Sequence, residues 1–323
     1  MPFMRKDSCG VKQMKIIFMG TPDFAVGTLE ALVEAGHEVV LAVTQPDKPK
    51  GRGKTMQFPP VKEAALAHNI EVYQPTKVRK PECVEFLRKY GAELIVVVAF
   101  GQILSEEILT MPKYGCINVH ASLLPKYRGA APIQWAVLNG EAVTGVTIMQ
   151  MDAGIDTGDI LEQVEVVLQA DETGGSLFDK LASAGAKLCV QTIAHMQEGT
   201  VKAVKQNEAL ASHTGKITKD MGEIDWQEPA DVIERKVRGL NPWPGAYTSL
   251  NGKTLKIWKA QVLANDSGNA EAGLVVLADK AHLVVQTGAG RLSLLELQLS
   301  GKKRMQADAF LCGCQIKEGT IFG

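Results

Sequence analysis

Cysteine is scarce in this sequence, and its spacing is not that of a metal site or a disulfide framework. Six cysteines are scattered over 323 residues, and no Cys-x-x-Cys pair occurs among them. Cys312 and Cys314 are the two nearest, and they are too close together for a zinc knuckle. A His-Glu-x-x-His motif is missing as well. We therefore expect no metal site, and reduced thiols of the kind found in the cytoplasm.

Long apolar runs and an excess of charge of one sign are also absent. No run reaches the roughly 20 residues that cross a membrane, and residues 1–13 lack the apolar centre of a secretory signal. Lysine and arginine number 35, aspartate and glutamate 36, and the formal net charge is −1. This balance argues against a constitutive DNA-binding protein but allows a local basic patch. We expect a cytoplasmic monomer without membrane contact.

The glycine-rich motifs that cradle nucleotide phosphates are incomplete. A buried-strand pattern at 15–19, a turn at Gly20, a helix and a second strand at 38–44 favour a doubly wound α/β fold. Only Gly20 of a Gly-x-Gly-x-x-Gly fingerprint is present, which argues against a nicotinamide dehydrogenase. Residues 53–55 mimic the end of a P-loop, but lysine occupies position 48, where its first glycine would fall.

The patterning of the chain indicates two domains. Strand and helix patterns alternate as far as a long helix at 175–197, and the strand at 93–100 is apolar on both faces, as in a central parallel strand. Five short strand patterns separated by turns follow, at 246–250, 254–263, 273–278, 282–287 and 291–299. We predict a doubly wound, mainly parallel α/β sheet followed by a small OB-like β-barrel domain. The predicted boundaries are 14–200 for the first domain, 201–214 for a linker and 215–323 for the second domain.

A polar pair stands at the end of a predicted buried strand at 115–119. Asn118 and His120 are two positions apart, so in an extended chain both side chains leave the same face. The carboxyl end of a buried strand is where α/β proteins place their chemistry. Histidine exchanges protons near neutral pH, and an asparagine amide can donate to an oxygen that becomes negative. Asp156, in a glycine-flanked loop, could orient the imidazole or hold a water molecule.

The same residues have plainer interpretations that spacing alone leaves open. A histidine at a strand end often serves as a structural hydrogen-bonding group, and Asn118 could satisfy a turn. Aspartates beside glycines, such as Asp152, Asp156 and Asp159, are commonly turn or cap residues.

A basic loop is predicted between Gln45 and Pro60. Four prolines, two glycines and four cations, at positions 48, 50, 52 and 54, are set against one acid, Asp47. This composition is typical of a solvated flexible loop. It also suits a mobile arm that binds phosphates, for which Arg52 is the best candidate because a guanidinium binds phosphate bidentately or stacks on a base.

Two separated motifs resemble a known family. Residues 118–132, Asn-Val-His-Ala-Ser-Leu-Leu-Pro-Lys-Tyr-Arg-Gly-Ala-Ala-Pro, look like the signature of the 10-formyltetrahydrofolate-dependent formyltransferases. Residues 152–159, Asp-Ala-Gly-Ile-Asp-Thr-Gly-Asp, resemble the aspartate loop of the same family. The opening at 18–24 and the Pro-Trp-Pro-Gly segment at 242–245 resemble the members that formylate methionyl-tRNA, and the likeness extends from Met14 to Phe322.

The resemblance implies a reaction and a set of site residues. The formyl group of 10-formyltetrahydrofolate would pass to the α-amino group of methionine on initiator tRNA, giving N-formylmethionyl-tRNA for translation initiation. The folate would be a consumed co-substrate, so no bound cofactor or metal is implied. The residues that match the family's motifs are, for catalysis, Asn118, His120 and Asp156, and for folate, Ser122, Leu123, Leu124 and Pro125. Similar basic loops in the family contact the acceptor arm of tRNA, which implies that role for Lys50, Arg52 and Lys54. The second domain would also bind tRNA.

Other enzymes of the same family and other protein classes remain as alternatives. A formyl-folate hydrolase, a nucleotide-sugar formyltransferase and a glycinamide ribonucleotide formyltransferase share the first domain. The last is usually a single domain, so the strand patterns at 246–299 count against it. A non-catalytic RNA-binding protein that uses the barrel alone is disfavoured by the near-neutral charge and by the complete set of Asn118, His120 and Asp156.

Overall fold

The computed structural model describes residues 12–50, 55–263, 270–314 and 316–323. It divides into two compact units. The first takes up the described chain as far as Gly129, together with Val143–Val167 and Phe178–His213. The second consists of Ala130–Ala142, Leu168–Leu177 and the described chain from Thr214 onwards.

The strands and helices follow one another along the described chain. The strands of the first half are β1 (Lys15–Gly20), β2 (Glu38–Val43), β3 (Lys48–Lys50), β4 (Thr55–Gln57), β5 (Val72–Tyr73), β6 (Leu94–Val98), β7 (Cys116–His120), β8 (Arg128–Gly129), β9 (Val143–Gln150) and β10 (Ile160–Val167). Those of the second half are β11 (His213–Thr214), β12 (Ala246–Leu250), β13 (Lys253–Leu263), β14 (Val275–Ala278), β15 (Leu283–Gln286), β16 (Arg291–Leu299) and β17 (Met305–Gln306). The helices are α1 (Asp23–Glu34), α2 (Pro60–Ala67), α3 (Pro81–Arg88), α4 (Glu106–Leu109), α5 (Pro132–Leu138), α6 (Gly174–Glu198), α7 (Ala230–Gly239) and α8 (Ala307–Gly313).

The first unit is built on a seven-stranded sheet in the order β10-β9-β7-β6-β1-β2-β5. The strands from β7 to β5 run parallel, whereas β9 and β10 are antiparallel to their neighbours. All five residues of β6 are buried, as expected for a parallel strand covered on both faces. Strand β7 lies between β6 and β9, and its last residues therefore end next to two other strands.

The second unit contains an antiparallel sheet in the order β12-β13-β16-β15-β14, with β17 paired to β16. Two of the five strands predicted from the sequence, β12 and β16, have the predicted bounds, and the other three differ by one or two residues at one or both ends. Trp226 is buried in the core of this unit, where its indole N–H donates to Thr248 Oγ1 at 3.0 Å and its ring packs on Phe322. The predicted fold class, a mainly parallel α/β sheet followed by a small β domain, is confirmed.

The described residues on either side of 51–54 form two short strands in the basic loop, which its composition did not predict. Strands β3 and β4 form a small antiparallel hairpin within it, with Lys48 opposite Gln57. The prolines and lysines there lack the alternation that indicates a strand, which explains why the sequence predicted only a loop. In the part of the chain that the structure describes, no helix is both long and apolar enough to span a membrane.

Candidate active site

The end of β7 places Asn118 and His120 side by side. Asn118 is opposite Val97 of β6 and Met149 of β9, and His120 is opposite Thr147. Because strand side chains alternate between faces, the two polar side chains project to the same side. His120 is 6% exposed, so its ring is surrounded almost completely by protein.

Both ring nitrogens of His120 have protein partners. Nε2 lies 2.9 Å from the carbonyl oxygen of Tyr127, and Nδ1 lies 3.7 Å from Asp156 Oδ2. Since a carbonyl oxygen only accepts, the Nε2 contact requires the N–H on that nitrogen. Nδ1 is then the atom that can take up a proton, and a proton there would face the Asp156 carboxylate.

Asp156 connects the loop after β9 to the end of β7. Its Oδ2 accepts the backbone N–H of Gly129 at 2.8 Å, and its Oδ1 lies 3.5 Å from Asn118 Nδ2. The residue has φ +54, a left-handed conformation that few residues other than glycine adopt. The structure thus brings the three predicted catalytic residues together, with Asn118 and His120 both next to the carboxylate of Asp156.

Asp152, in the same loop, stabilises a turn, which is the plainer of the roles that the sequence left open for it. Asp152 Oδ1 accepts the backbone N–H of Gly154 at 3.0 Å and the hydroxyl of Thr157 at 2.7 Å, so it stabilises the turn. Gly158 closes the same loop tightly, since a Cβ there would lie 1.7 Å from the carbonyl oxygen of Gln150. The loop's shape therefore depends on the absence of a side chain at position 158.

The predicted folate segment, Ser122 to Pro125, is held by hydrogen bonds within the protein. Thr147 Oγ1 donates to the Ser122 carbonyl at 2.7 Å and accepts the Leu124 N–H at 3.0 Å. Gln163 Nε2 donates to the Leu124 carbonyl at 2.9 Å, and Ser122 Oγ donates to the carbonyl of Lys126. With these groups already bonded, the segment can offer a ligand a fixed shape and the partly exposed side chains of Leu123 and Pro125.

The side chains of the three predicted tRNA contacts all lie outside the described part of the chain. Arg52 and Lys54 lie outside the described residues, and Lys50 ends β3, with its side chain likewise outside the description. The base of the hairpin is well defined: Lys62 Nζ lies 2.7 Å from Asp47 Oδ2 and 2.8 Å from Gln74 Oε1. Gln74 in turn donates to Asp47 Oδ1 and to the carbonyl of Gln45.

Sequence reasoning missed the contribution of residues 204–212. Arg128, which is 1% exposed, is bonded to Gln206 and Glu208 of this segment, and Gln206 is bonded to the loop that carries Asp156. The segment was predicted only as a linker because it is polar and shows no regular period. The sequence signal that could have pointed to such partners is the arginine within the signature motif, because a charged side chain next to a site needs a partner.

Cysteine is not a nucleophile at this site. Cys116 belongs to β7 but is fully buried, and burial raises the pKa of its thiol to about 12. Burial raises the pKa of the Cys189 thiol to about 12 as well. Both thiols are therefore neutral and unreactive at ordinary pH. Within the described ranges, no group of three histidine, cysteine, aspartate or glutamate residues is arranged to hold a metal ion.

Solved structures with the same fold bind folates. A sugar 3N-formyl transferase, WlaRD, solved in the presence of dTDP and 5-N-formyl-THF, superposes with a TM-score of 0.65 at 21% identity, over 90% of this chain and 100% of that one. HypX from Aquifex aeolicus in complex with tetrahydrofolic acid gives a TM-score of 0.61 at 17% identity, over 93% of this chain and 47% of that one. At these identities the likeness establishes the fold alone.

Sequence comparison is far more specific. The family model described as formyl transferase matches residues 14–193, and the one described as formyl transferase, C-terminal domain, matches residues 216–315. A methionyl-tRNA formyltransferase of Agathobacter rectalis is 62% identical over 309 residues, which cover 96% of this chain and 99% of that protein. Those of Lachnospira eligens and Geobacter metallireducens are 52% and 49% identical, each over 96% of this chain and 100% and 99% of theirs. The chain therefore belongs to the formyl transferase family, as a member of its methionyl-tRNA formyltransferase group.

Proposed function

We propose that this protein transfers the formyl group of 10-formyltetrahydrofolate to the α-amino group of methionine on initiator tRNA. The product, N-formylmethionyl-tRNA, serves translation initiation. The observation that carries the reaction class is the meeting of Asn118, His120 and Asp156 around one carboxylate. The acceptor follows from the relatives, which are methionyl-tRNA formyltransferases along nearly their whole length.

The first chemical step requires a donor for a developing negative charge. The amine attacks the formyl carbon, and the formyl oxygen becomes an oxyanion in the tetrahedral intermediate. Asn118 Nδ2 carries two hydrogens, of which the contact with Asp156 uses one, so the other can point to the oxyanion. Loss of one such donor usually costs about 10²–10³ in rate.

The second requirement is proton transfer. The attacking amine loses a proton, and the folate nitrogen that leaves gains one, so the protons balance. His120 Nδ1 can carry the proton directly or through water, which is worth roughly 10²–10⁴-fold in rate. Asp156, 3.7 Å from Nδ1, orients the ring and offsets its charge while the proton is held there.

The folate lies against the segment Ser122-Leu123-Leu124-Pro125 in this proposal. The internal hydrogen bonds of Ser122 and Leu124 support it, because they fix the backbone before the ligand arrives and so reduce the entropy that binding must overcome. Recognition then depends on shape and on apolar contact with the partly exposed Leu123 and Pro125.

Two basic regions serve the tRNA. The first is the basic loop that carries Lys50, Arg52 and Lys54, beside which Asp47 is bonded to Lys62. The second domain contributes a surface around Trp258, where Lys256 Nζ and the Arg304 guanidinium lie 5.2 and 4.9 Å from the indole ring. Cations beside a partly exposed aromatic side chain suit a nucleic acid, which offers both phosphates and bases.

The proposed domain boundaries are those of the sequence prediction: 14–200, 201–214 and 215–323. The family models support them, since they leave residues 194–215 unmatched between two matched regions. We also propose that the protein acts in the cytoplasm as a monomer.

The test is formyl incorporation from 10-formyltetrahydrofolate into methionyl-initiator tRNA, with free methionine and uncharged tRNA as parallel acceptors. We expect product on the charged tRNA alone. Folate turnover without product on tRNA would move the substrate to the hydrolase or sugar class. The absence of folate turnover would refute the proposed reaction.

A further inference from the structure

The segment from Val204 to Ser212 lies beside the candidate site. It contacts the chain at Pro125 and Tyr127 and the loop that carries Asp156. Val204 pairs with Ile160 through two backbone hydrogen bonds of 2.8 and 2.9 Å. Ser212 donates its N–H to the carbonyl of Pro125 at 3.2 Å, and its hydroxyl accepts the N–H of Tyr127 at 2.8 Å. The carbonyl of Tyr127 is the group that holds His120 Nε2, so this segment supports the partner of the proposed catalytic histidine.

Gln206 makes the central contacts of the segment. Its Nε2 donates to two carbonyl oxygens, those of Asp156 at 2.9 Å and Gly158 at 2.8 Å. Its Oε1 accepts Nε of Arg128 at 2.9 Å. Both ends of the amide are thereby used, and the amide has one orientation that satisfies all three bonds.

Arg128 is fixed from the other side by Glu208. The buried guanidinium donates from both terminal nitrogens to the carboxylate, at 2.9 and 2.7 Å, in a bidentate pair. The hydrogen bond with Glu208 raises the pKa of Arg128, and the same bond lowers the pKa of Glu208. Both groups are therefore charged at neutral pH, and the ion pair supports the guanidinium in its contact with Gln206.

The loop that Gln206 holds needs such support. Asp156 is a non-glycine residue at φ +54, a sparsely populated conformation that persists where surrounding contacts enforce it. The direction of its carboxylate towards Asn118 and Gly129 depends on that backbone conformation. The two hydrogen bonds from Gln206 hold the carbonyl of Asp156 itself and that of Gly158, two residues further along.

We propose that Gln206, held by Arg128 and Glu208, is a positioning residue that fixes the backbone of the Asp156 loop for formyl transfer. This inference rests on the proposed function. Gln206 touches no reacting atom in it; the residue acts through the placement of the Asp156 carboxylate beside His120. A misplacement of about 1 Å in a catalytic group costs on the order of 10²-fold in rate.

The test compares Gln206→Met with a matched control. Gln286, in the second unit, is also a bridging glutamine: its Nε2 donates to the carbonyls of Thr287 and Gly290, and its Oε1 accepts Nε of Arg291 at 3.1 Å. Gln286→Met therefore removes the same three kinds of bond outside the site. We expect Gln206→Met to lower kcat by about 10–100-fold with KM for both substrates within about twofold. The control should lower Tm and leave kcat near that of the wild type.

A double-mutant cycle separates positioning from general destabilisation. If Gln206 acts through Asp156, adding Gln206→Met to Asp156→Asn should lower kcat by no more than about threefold further. The inference would be overturned if Gln206→Met lowered kcat by the same factor in the wild type and in Asp156→Asn. It would also be overturned if Gln206→Met alone had the kcat of the wild type. Should Gln206→Met fail to fold, Gln206→Glu keeps the acceptor for Arg128 and removes both donors, so the same loss of kcat is expected. A wild-type protein that leaves methionyl-tRNA unformylated would refute the proposed function and this inference with it; an active wild type with additive losses would refute the inference alone.

Discussion

The backbone N–H of Gly129 donates to Asp156 Oδ2 at 2.8 Å, which joins β8 to the Asp156 loop, 27 residues further along the sequence. The same carboxylate faces Asn118 through its other oxygen and His120 through the oxygen that Gly129 binds. Asp156 therefore contacts both other predicted catalytic residues and the backbone of Gly129. Its two oxygens accept from Asn118 of β7 and Gly129 of β8, so Asp156 is suited to orienting its neighbours.

Replacement of Asn118 by alanine should lower turnover and leave the protein folded. The amide is only partly buried, so its loss removes a donor without opening the core. We expect kcat to fall by about 10²–10³-fold, the usual cost of a missing oxyanion donor. Single-turnover formylation with saturating folate and tRNA measures this directly. A kcat within a few-fold of the wild type, in a protein of unchanged Tm, would remove the proposed role.

Gly158→Ala should destabilise the protein and reduce its activity. The added Cβ would lie 1.7 Å from the carbonyl oxygen of Gln150, so the backbone of the Asp156 loop must move. Overpacking of this kind typically costs about 1–3 kcal/mol of unfolding free energy. Gly27→Ala is the control: it lies within helix α1 with no atom within 4 Å of the new Cβ, and should be neutral or stabilising by up to about 1 kcal/mol. Urea denaturation of both variants checks the pair, and equal stabilities would contradict the expectation.

Much of this fold was predictable from local pattern. The apolar run of β6 and the alternation of β12 and β16 gave strands with bounds close to those observed. Asn118 and His120 were predicted to share a face because side chains in a strand alternate with a period of two. In the structure both residues lie in β7, two positions apart, and their side chains project to the same side. These predictions succeeded because each depends on neighbours within a few residues.

The contacts of Gln206 were not predictable in the same way. It meets Asp156 across 50 residues of sequence, and nothing in the polar run around it distinguishes one glutamine from another. Gln206 contacts the Asp156 loop only because the fold brings the segment 204–212 next to that loop. The hairpin of β3 and β4 was missed for a different reason, since its prolines and lysines mask the pairing that the backbone makes.

Arg52→Ala should weaken tRNA binding and spare the folate. A guanidinium that contacts a phosphate adds an electrostatic contribution that salt screens, so its removal should raise KM for tRNA and reduce the slope of log affinity against log salt by about 1. Formylation at 50 to 200 mM salt measures both quantities. Arg79→Ala, which removes an arginine that is exposed in the segment after β5, is the control and should leave both quantities unchanged. An unaltered KM for tRNA in Arg52→Ala would exclude this contact.

Asp279 should make the second unit's stability depend on acid pH. In the turn between β14 and β15 its Oδ1 accepts the backbone N–H groups of Ala281 and His282 at 2.8 and 2.7 Å, and the imidazole of His282 lies 3.0 Å from Oδ2. The N–H of Ala281 is the largest cause, followed by the His282 side chain, and together these contacts lower the pKa of Asp279 from its usual 3.8 to about 2. Because the pKa is lower in the folded protein than in the unfolded chain, the carboxylate stabilises the fold fully above about pH 5, and this stabilisation is lost as pH falls from about 4 towards 2.

Asp279→Ala should therefore be less stable than the wild type at pH 7, and the difference should narrow between pH 4 and pH 2. Urea denaturation followed at pH 7, 4, 3 and 2.5 measures the difference at each step. His282→Ala is the informative companion, since it removes the imidazole and keeps both backbone donors to Asp279 Oδ1. It should lose less stability than Asp279→Ala at pH 7, because the backbone N–H of Ala281 remains as the main support of the charged carboxylate. A difference between Asp279→Ala and the wild type that stays constant from pH 7 to pH 2.5 would show that these contacts do not hold the carboxylate in its charged form.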